Sequence, residues 1–236
     1  MSEPVRVKRF YKDVAVAPAE GGFAILLDGR PVKTQNGAAL IASSEALAEA
    51  IAQEWRDQGE HIERRSMPLT GMQSAAIDGA GDCDHWREEI VKYLGSDLVC
   101  YRAAEPKALA IRQAETWDPY IDFMRQEFGA LMMTTAGIVA ISQPDATFSA
   151  VRSALKNVEA ETLFAIQIAT AIAGSAALAL ALWRGAYAPE EIFEASRVDE
   201  RFQEEQWGVD DEAKAREDRL RTDFLAIARF LELLVR

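Results

Sequence analysis

Only two histidines, His61 and His85, are available to this chain, so acid–base chemistry at neutral pH would rest on them or on carboxylates displaced from their ordinary range. His85 lies in DCDHWREE, beside Asp82, Cys83, Asp84, Glu88 and Glu89, residue types that ligate a divalent metal. The spacing argues against such a site. On a helix His85 shares a face with Glu88 and Glu89, which read as solvated charge, and Asp84 reads as the cap of that helix. His61 stands in no catalytic motif. GxGxxG, P-loop, HExxH and GxSxG patterns are missing, and the glycines fall at turns and helix ends. With 38 Asp and Glu, some pair must fall at glycosidase distance by chance. The reading is no catalytic centre, no metal and no cofactor. Its rival is an enzyme working through carboxylates and arginines without histidine, which would show as a deep pocket of convergent, perturbed ionisable groups.

Composition narrows the class further. A length of 236 residues with 49% hydrophobic and 27% charged residues suits a folded chain of one large or two small domains. A formal net charge of -12 repels phosphate backbones and anionic headgroups, so nucleic acid is not an expected partner. Cys83 and Cys100 form no disulfide framework or zinc pattern, which suits a reducing compartment. MSEPVRVKRF carries no apolar h-region and no Arg-rich transit pattern, and the expectation is a bacterial cytoplasmic protein in preference to one of the mitochondrial matrix. Phe164 to Trp183 is free of charge and about long enough to span a bilayer. Its alanines and the interruptions at Gln167, Thr170, Gly174 and Ser175 instead predict a helix buried all round in a bundle, with no membrane insertion.

The elements that would position any site come in two blocks. Asp28-Gly29 and Asn36-Gly37 are strong hairpin dipeptides. They separate β-rich runs at Phe10 to Val16, Phe23 to Leu27, around Val32 and at Leu40-Ile41, predicting an antiparallel sheet of about four strands. From Ser44 the period lengthens: Leu47, Ile51 and Trp55 recur every fourth residue between a capping Ser44 and a stopping Gly59, a helix to cover the sheet. A less regular stretch around Met67-Pro68-Leu69-Thr70 leads out. After about Asp78 the chain reads as helical throughout. Asp84 caps a helix with Trp86, Ile90 and Leu94, and Glu105-Pro106 opens another that Asp118-Pro119 restarts or kinks. Further helices begin near Pro144, at the alanine-rich run, at Pro189 and at about Asp210. The fold class is α+β: a small N-terminal antiparallel sheet unit with a covering helix over residues 1–75, followed by an irregular, orthogonal helix bundle over residues 76–236.

Two features in the second block point to binding. On the helix opened by Pro189, Ile192, Ala195, Asp199, Phe202 and Gln206 share a face, so Asp199 is either a buried carboxylate paired with an arginine or part of a partner-binding patch. Trp55, Trp86 and Trp117 lie on apolar helix faces, whereas Trp207 ends a helix beside Gly208, a reachable place for a residue type favoured in binding hot spots.

Read together, RFYKDV (Arg9 to Val14), LDGRPVKT (Leu27 to Thr34), AIAQEW (Ala50 to Trp55), MPLT (Met67 to Thr70), AID (Ala76 to Asp78), YLGSDLVCYRA (Tyr93 to Ala103), WDP (Trp117 to Pro119), Gln143-Pro144, Gly174-Ser175 and FQEEQWG (Phe202 to Gly208) resemble the ATP-twelve family, the assembly chaperones for the alpha subunit of the catalytic sector of F-type ATP synthase. The resemblance runs nearly end to end. It departs at Arg64-Arg65, where a proline is expected, and at Ser74-Ala75, where asparagine-threonine is commoner. It implies a sheet domain followed by a helical domain. It also implies a non-enzymatic chaperone, acting as a monomer, that shields the free alpha subunit until the beta subunit replaces it. Trp55, Asp199, Gln203, Glu204 and Trp207 are the residues expected to touch the client or to fix the contact surface. An adaptor for a different client is the remaining alternative.

Overall fold

In a computed structural model, which describes residues 7–137 and 139–235, the N-terminal runs form the expected antiparallel sheet. Strand β1 (Val14–Ala19) pairs along its whole length with β2 (Gly22–Leu27), Val14 facing Leu27 and Ala19 facing Gly22. The short strands β3 (Arg30–Pro31) and β4 (Ile41–Ala42) also pair with β2. Asp28 at φ 48° and Gly29 at φ 78° supply the two positive φ values of a tight hairpin of the hand that matches strand twist. Glu20-Gly21, which the dipeptide signals did not mark, turns β1 into β2. Gly22 departs from the turn-and-cap reading of the glycines. It sits in a strand, and a Cβ there would lie 2.1 Å from the Ala42 carbonyl oxygen, so β2 and β4 meet only because the side chain is missing. The N-terminal stretch read for targeting signals falls partly on residues 1–6, outside the described residues.

Helix α1 (Glu45–Arg56) starts where expected, with the Ser44 hydroxyl accepting from the Leu47 N–H at 3.0 Å, and buries Leu47 and Ile51 completely over the sheet. The stretch read as irregular at Met67 to Thr70 instead begins a second helix, α2 (Pro68–Asp78). Pro68 at its first position needs no N–H partner. The Glu54 carboxylate of α1 accepts from the N–H groups of Leu69 and Thr70 at 2.7 and 2.8 Å and from the Thr70 hydroxyl at 2.7 Å, doing what a local cap would do. That cap comes from another helix, so spacing could not reveal it.

Contacts group the chain into two compact units, Met1–Gly81 with Arg229–Arg236, and Asp82–Ala228. The second unit begins with α3 (Cys83–Tyr93). Its cap position is Asp82, without a side-chain bond, and Asp84, expected as the cap, lies inside the first turn and pairs with Arg87. The unit is not wholly helical: β5 (Tyr101–Arg102) and β6 (Thr135–Ala136) form a short parallel pair, too brief to leave a period in the sequence. Between them α4 (Lys107–Phe128) runs through Asp118-Pro119 as one helix, and α5 (Asp145–Ala154) begins after Pro144.

The alanine-rich run is two helices, α6 (Ala160–Ala173) and α7 (Ala176–Trp183). Gly174 at φ 66° ends the first, and the Ser175 hydroxyl caps the second by accepting from the Leu178 N–H at 3.1 Å. Seven consecutive residues of α7, Ala176 to Leu182, are buried, as an all-apolar core helix should be. No described helix is long and apolar enough to cross a membrane. The helix expected from Pro189 also divides, into α8 (Pro189–Ala195) and α9 (Val198–Trp207), because the Ser196 hydroxyl turns back onto the Phe193 carbonyl at 2.6 Å. Helix α10 (Asp211–Leu234) completes the chain. Its Phe224 packs on Phe193 at 5.7 Å between ring centroids.

Candidate partner-binding face

The motif residues quoted above fall into two groups once their partners are known. Most are used up inside the fold. In the first unit, the Asp28 carboxylate accepts from the N–H groups of Lys12 and Asp13 at 3.0 and 2.8 Å, tying RFYKDV to LDGRPVKT. The Thr34 hydroxyl donates to Asp78 at 2.6 Å, and Asp78 also accepts from the Asn36 N–H at 3.1 Å, so AID clamps the turn after LDGRPVKT. Glu54 joins AIAQEW to MPLT as described. Burial pushes the Glu54 carboxyl up despite the pull of its Thr70 and Leu69 donors.

In the second unit the fully buried Asp97 does similar work. It accepts from the N–H groups of Val99 at 3.3 Å and Ala177 at 3.1 Å, so the SD of YLGSDLVCYRA caps the helix that follows Gly174-Ser175. Burial raises its carboxyl to about 6, against the pull of the Ser175 hydroxyl and these N–H groups. The buried Trp117 indole donates to the Ala195 carbonyl at 2.7 Å. Arg102 pairs with Asp118 at 2.8 Å and lies over the Trp117 ring at 5.1 Å.

The last motif, FQEEQWG, behaves differently. It lies on α9, which is held firmly from two sides. Towards α4, the Gln113 side-chain amide donates to Asp199 at 2.6 Å and Arg112 makes a bidentate pair with Glu205 at 2.7 and 2.8 Å. That pair holds the Glu205 carboxyl below its ordinary range and Arg112 above. On another side, Arg201 gathers Glu194 of α8 at 2.8 Å, Glu204 at 3.0 Å and Glu217 of α10 at 2.5 Å. Glu194 and then Glu217 hold Arg201 in its charged form. On this anchored helix Gln203 and Gln206 are exposed, and Trp207 is 79% exposed, with Val209 beyond it at 56%.

Of the five residues singled out in the sequence, α9 therefore brings together Asp199, Gln203, Glu204 and Trp207 on one ten-residue helix. Their positions differ in kind. Asp199 is half-buried and partnered by the Gln113 amide, not by the arginine expected of a structural carboxylate. Glu204 is bound to Arg201, while Gln203 and Trp207 meet solvent. Trp55 belongs to the first unit: its ring meets Tyr11 edge-on at 5.5 Å and its carbonyl accepts the Tyr11 hydroxyl at 2.7 Å. Sequence reasoning missed Arg112, Gln113 and Glu217. The spacing of Glu194, Arg201 and Glu204 at seven and three residues could have suggested a helical ion-pair cluster. Nothing local marks Gln113 or Glu217.

Asp97, Cys100 and Tyr120 are each buried and shifted upward, and burial is the first cause for all three, with the Cys100 thiol pushed to about 12, which leaves it unreactive. A groove of about 550 Å³ between α3 and α5 contains Arg87, Glu88, Arg152 and Lys156, with Glu88 and Arg152 neutralising each other at 2.7 Å. No cluster of metal-ligating side chains occurs among the described residues, DCDHWREE included.

Comparison with known proteins agrees with this architecture. Residues 8–125 match the family model described as "ATP12 chaperone protein". The crystal structure of Atp12 from Paracoccus denitrificans is 36% identical, covers 97% of this chain and 98% of its own, and superposes with a TM-score of 0.93. A protein from Agrobacterium tumefaciens is 40% identical over 96% of this chain and 86% of its own, with a TM-score of 0.92. The mitochondrial protein atp12 of Schizosaccharomyces pombe is 24% identical over 85% of this chain and 74% of its own length.

Proposed function

We propose that this chain, which belongs to the ATP12 chaperone family, holds the free alpha subunit of F-type ATP synthase and shields it from aggregation until the beta subunit takes its place. An unassembled subunit exposes an apolar contact surface that would otherwise self-associate. Covering it requires complementarity and no bond-making chemistry, so the protein acts without turnover and without a cofactor, as a monomer. The bacterial cytoplasm is the proposed compartment, supported by higher identity to the bacterial structures than to the mitochondrial relative.

The observation that carries the contact face is Trp207, 79% exposed at the end of a helix that Asp199, Arg201, Glu204 and Glu205 anchor from two sides. A large ring kept in water has no reward within the monomer, whereas a partner that buries it gains a hot-spot contact. The anchoring of α9 keeps the ordering cost of that contact low. Gln203 and Trp207 meet the client, Asp199 and Glu204 hold the helix that presents them, and Trp55 fixes the first unit.

The test is light scattering of purified alpha subunit on dilution from denaturant. Near-stoichiometric chaperone should suppress aggregation, and added beta subunit should release the chaperone. Unchanged aggregation in the absence of beta would overturn the proposal.

A further inference from the structure

We propose that the Tyr187 ring, which lies against the buried Tyr120 at one end of an aromatic row in the second unit and near the exposed Glu191, receives an arginine side chain from a protein partner. The row runs across the C-terminal half of α4, the end of α7 and the segment before α8. Trp183 stacks on Phe128 at 6.4 Å between centroids and 15° between planes. Phe128 meets Phe123 at 5.7 Å, Phe123 meets Tyr187 at 6.5 Å, and Tyr187 meets Tyr120 at 4.6 Å. Every ring except Tyr120 is half-buried and keeps part of its surface in water.

One end of the row already shows what this arrangement binds. The Arg184 guanidinium lies 3.9 Å from the Trp183 centroid and 5.4 Å from that of Phe128, and the same guanidinium pairs with Glu127 at 3.2 Å. Ring faces carry negative charge, and a carboxylate at the rim completes a site for a planar cation. The other end repeats the chemistry without the cation. Glu191 is exposed and makes no ion pair among the described residues, yet its charge reaches both the Tyr120 and the Tyr187 hydroxyls. The neighbouring Asp122 is already matched by Arg125 at 2.8 Å, so Glu191 remains to be met.

Tyr120 adds an independent sign. Its residue is 2% exposed, and its hydroxyl has no hydrogen-bond partner among the described residues, an unusual state for a buried phenol. The Tyr187 hydroxyl, in contrast, reaches the Pro119 carbonyl at 3.3 Å. Arginine fits better than lysine because a flat guanidinium can lie on the Tyr187 ring while its fork meets Glu191, as Arg184 does with Glu127.

The experiment follows the aromatic NMR signals of the full chain during titration with acetyl-Gly-Arg-Gly-amide, with the citrulline peptide of the same shape and no charge as control. Saturable shifts are expected at the Tyr120 and Tyr187 rings, with binding weakened at least about fivefold for the citrulline peptide and for Glu191→Gln. Tyr187→Phe, which keeps the ring, should retain binding. Thermal melting of Glu191→Gln should match the parent, since the side chain is exposed. The proposal is overturned if the two rings show no saturable shift, or if citrulline or Glu191→Gln binds the same as arginine and the parent chain. None of these readouts involves the alpha subunit, so they stand or fall separately from the client proposed above.

Discussion

Trp207 and Asp97 mark opposite uses of a costly side chain. Trp207 is 79% exposed, so Trp207→Ala removes little packing and should leave thermal melting unchanged. On the proposed role as a client contact, the substitution should weaken binding of the proposed alpha-subunit client by about 2 kcal/mol or more, roughly 30-fold in Kd. Calorimetric titration beside a melting curve separates the two effects. Asp97 is fully buried, and its folded-state pKa of about 6 lies above the ordinary 3.8. The folded state thus holds the proton more tightly than the unfolded chain does. The stability this group contributes is complete below about pH 4 and is lost as pH rises through about 6, an amount on the order of 3 kcal/mol. Asp97→Asn should remove this part of the pH dependence, read as the difference between mutant and parent urea midpoints across pH 4 to 7. A parallel pair of curves would show that the carboxyl does not titrate there.

Among the elements, α2 depends on a cap that α1 lends it. Glu54 satisfies the Leu69 and Thr70 N–H groups and the Thr70 hydroxyl, donors a helix start otherwise leaves open. Glu54→Ala should therefore cost about 1–3 kcal/mol, and Glu54→Gln, which keeps an acceptor oxygen, should recover part of it. Denaturant midpoints of the two variants give the comparison, and equal losses would assign the effect to charge instead of capping. Helix α9 is likewise defined by others, through Gln113, Arg112, Glu194 and Glu217. Its own sequence, with acidic residues at the N-terminal end, favours helix formation but does not say which side will be covered.

At the scale of the whole molecule, the first unit is built from both ends of the chain. Arg229–Arg236 groups with Met1–Gly81. The Leu233 carbonyl accepts the Ser44 hydroxyl at 2.5 Å, and Phe230, Leu231 and Leu233 are buried. Deleting Arg229–Arg236 should therefore remove buried apolar side chains and the Ser44 contact from the first unit and loosen it. Hydrogen exchange at β1 and β2 amides should accelerate more than tenfold, in keeping with the loss of several buried apolar side chains at about 1.5–3 kcal/mol each. Amides of α6 and α7, in the other unit, should keep their protection. Uniform acceleration across both units, or none in the sheet, would contradict this assignment.

The α+β class, the sheet turns at Asp28-Gly29, the Ser44 cap and the family were all legible in the sequence, because each depends on neighbouring residues or on an ordered series of short motifs. Hairpin dipeptides and period-four apolar residues act within a turn or two of chain, the range over which sequence reports structure directly. The strand pair β5 and β6 and the helical start at Pro68 depend on partners farther along the chain, such as Glu54 reaching Thr70, and the local Gly174-Ser175 break is completed by Asp97 reaching Ala177. The candidate face divides the same way. Trp207 stands out by type and place and Glu204 has Arg201 three residues away, but only tertiary structure decided that Asp199 would meet Gln113 while Gln203 and Trp207 would be left in water. Burial is a property of what folds against a residue, and spacing along one helix cannot supply it.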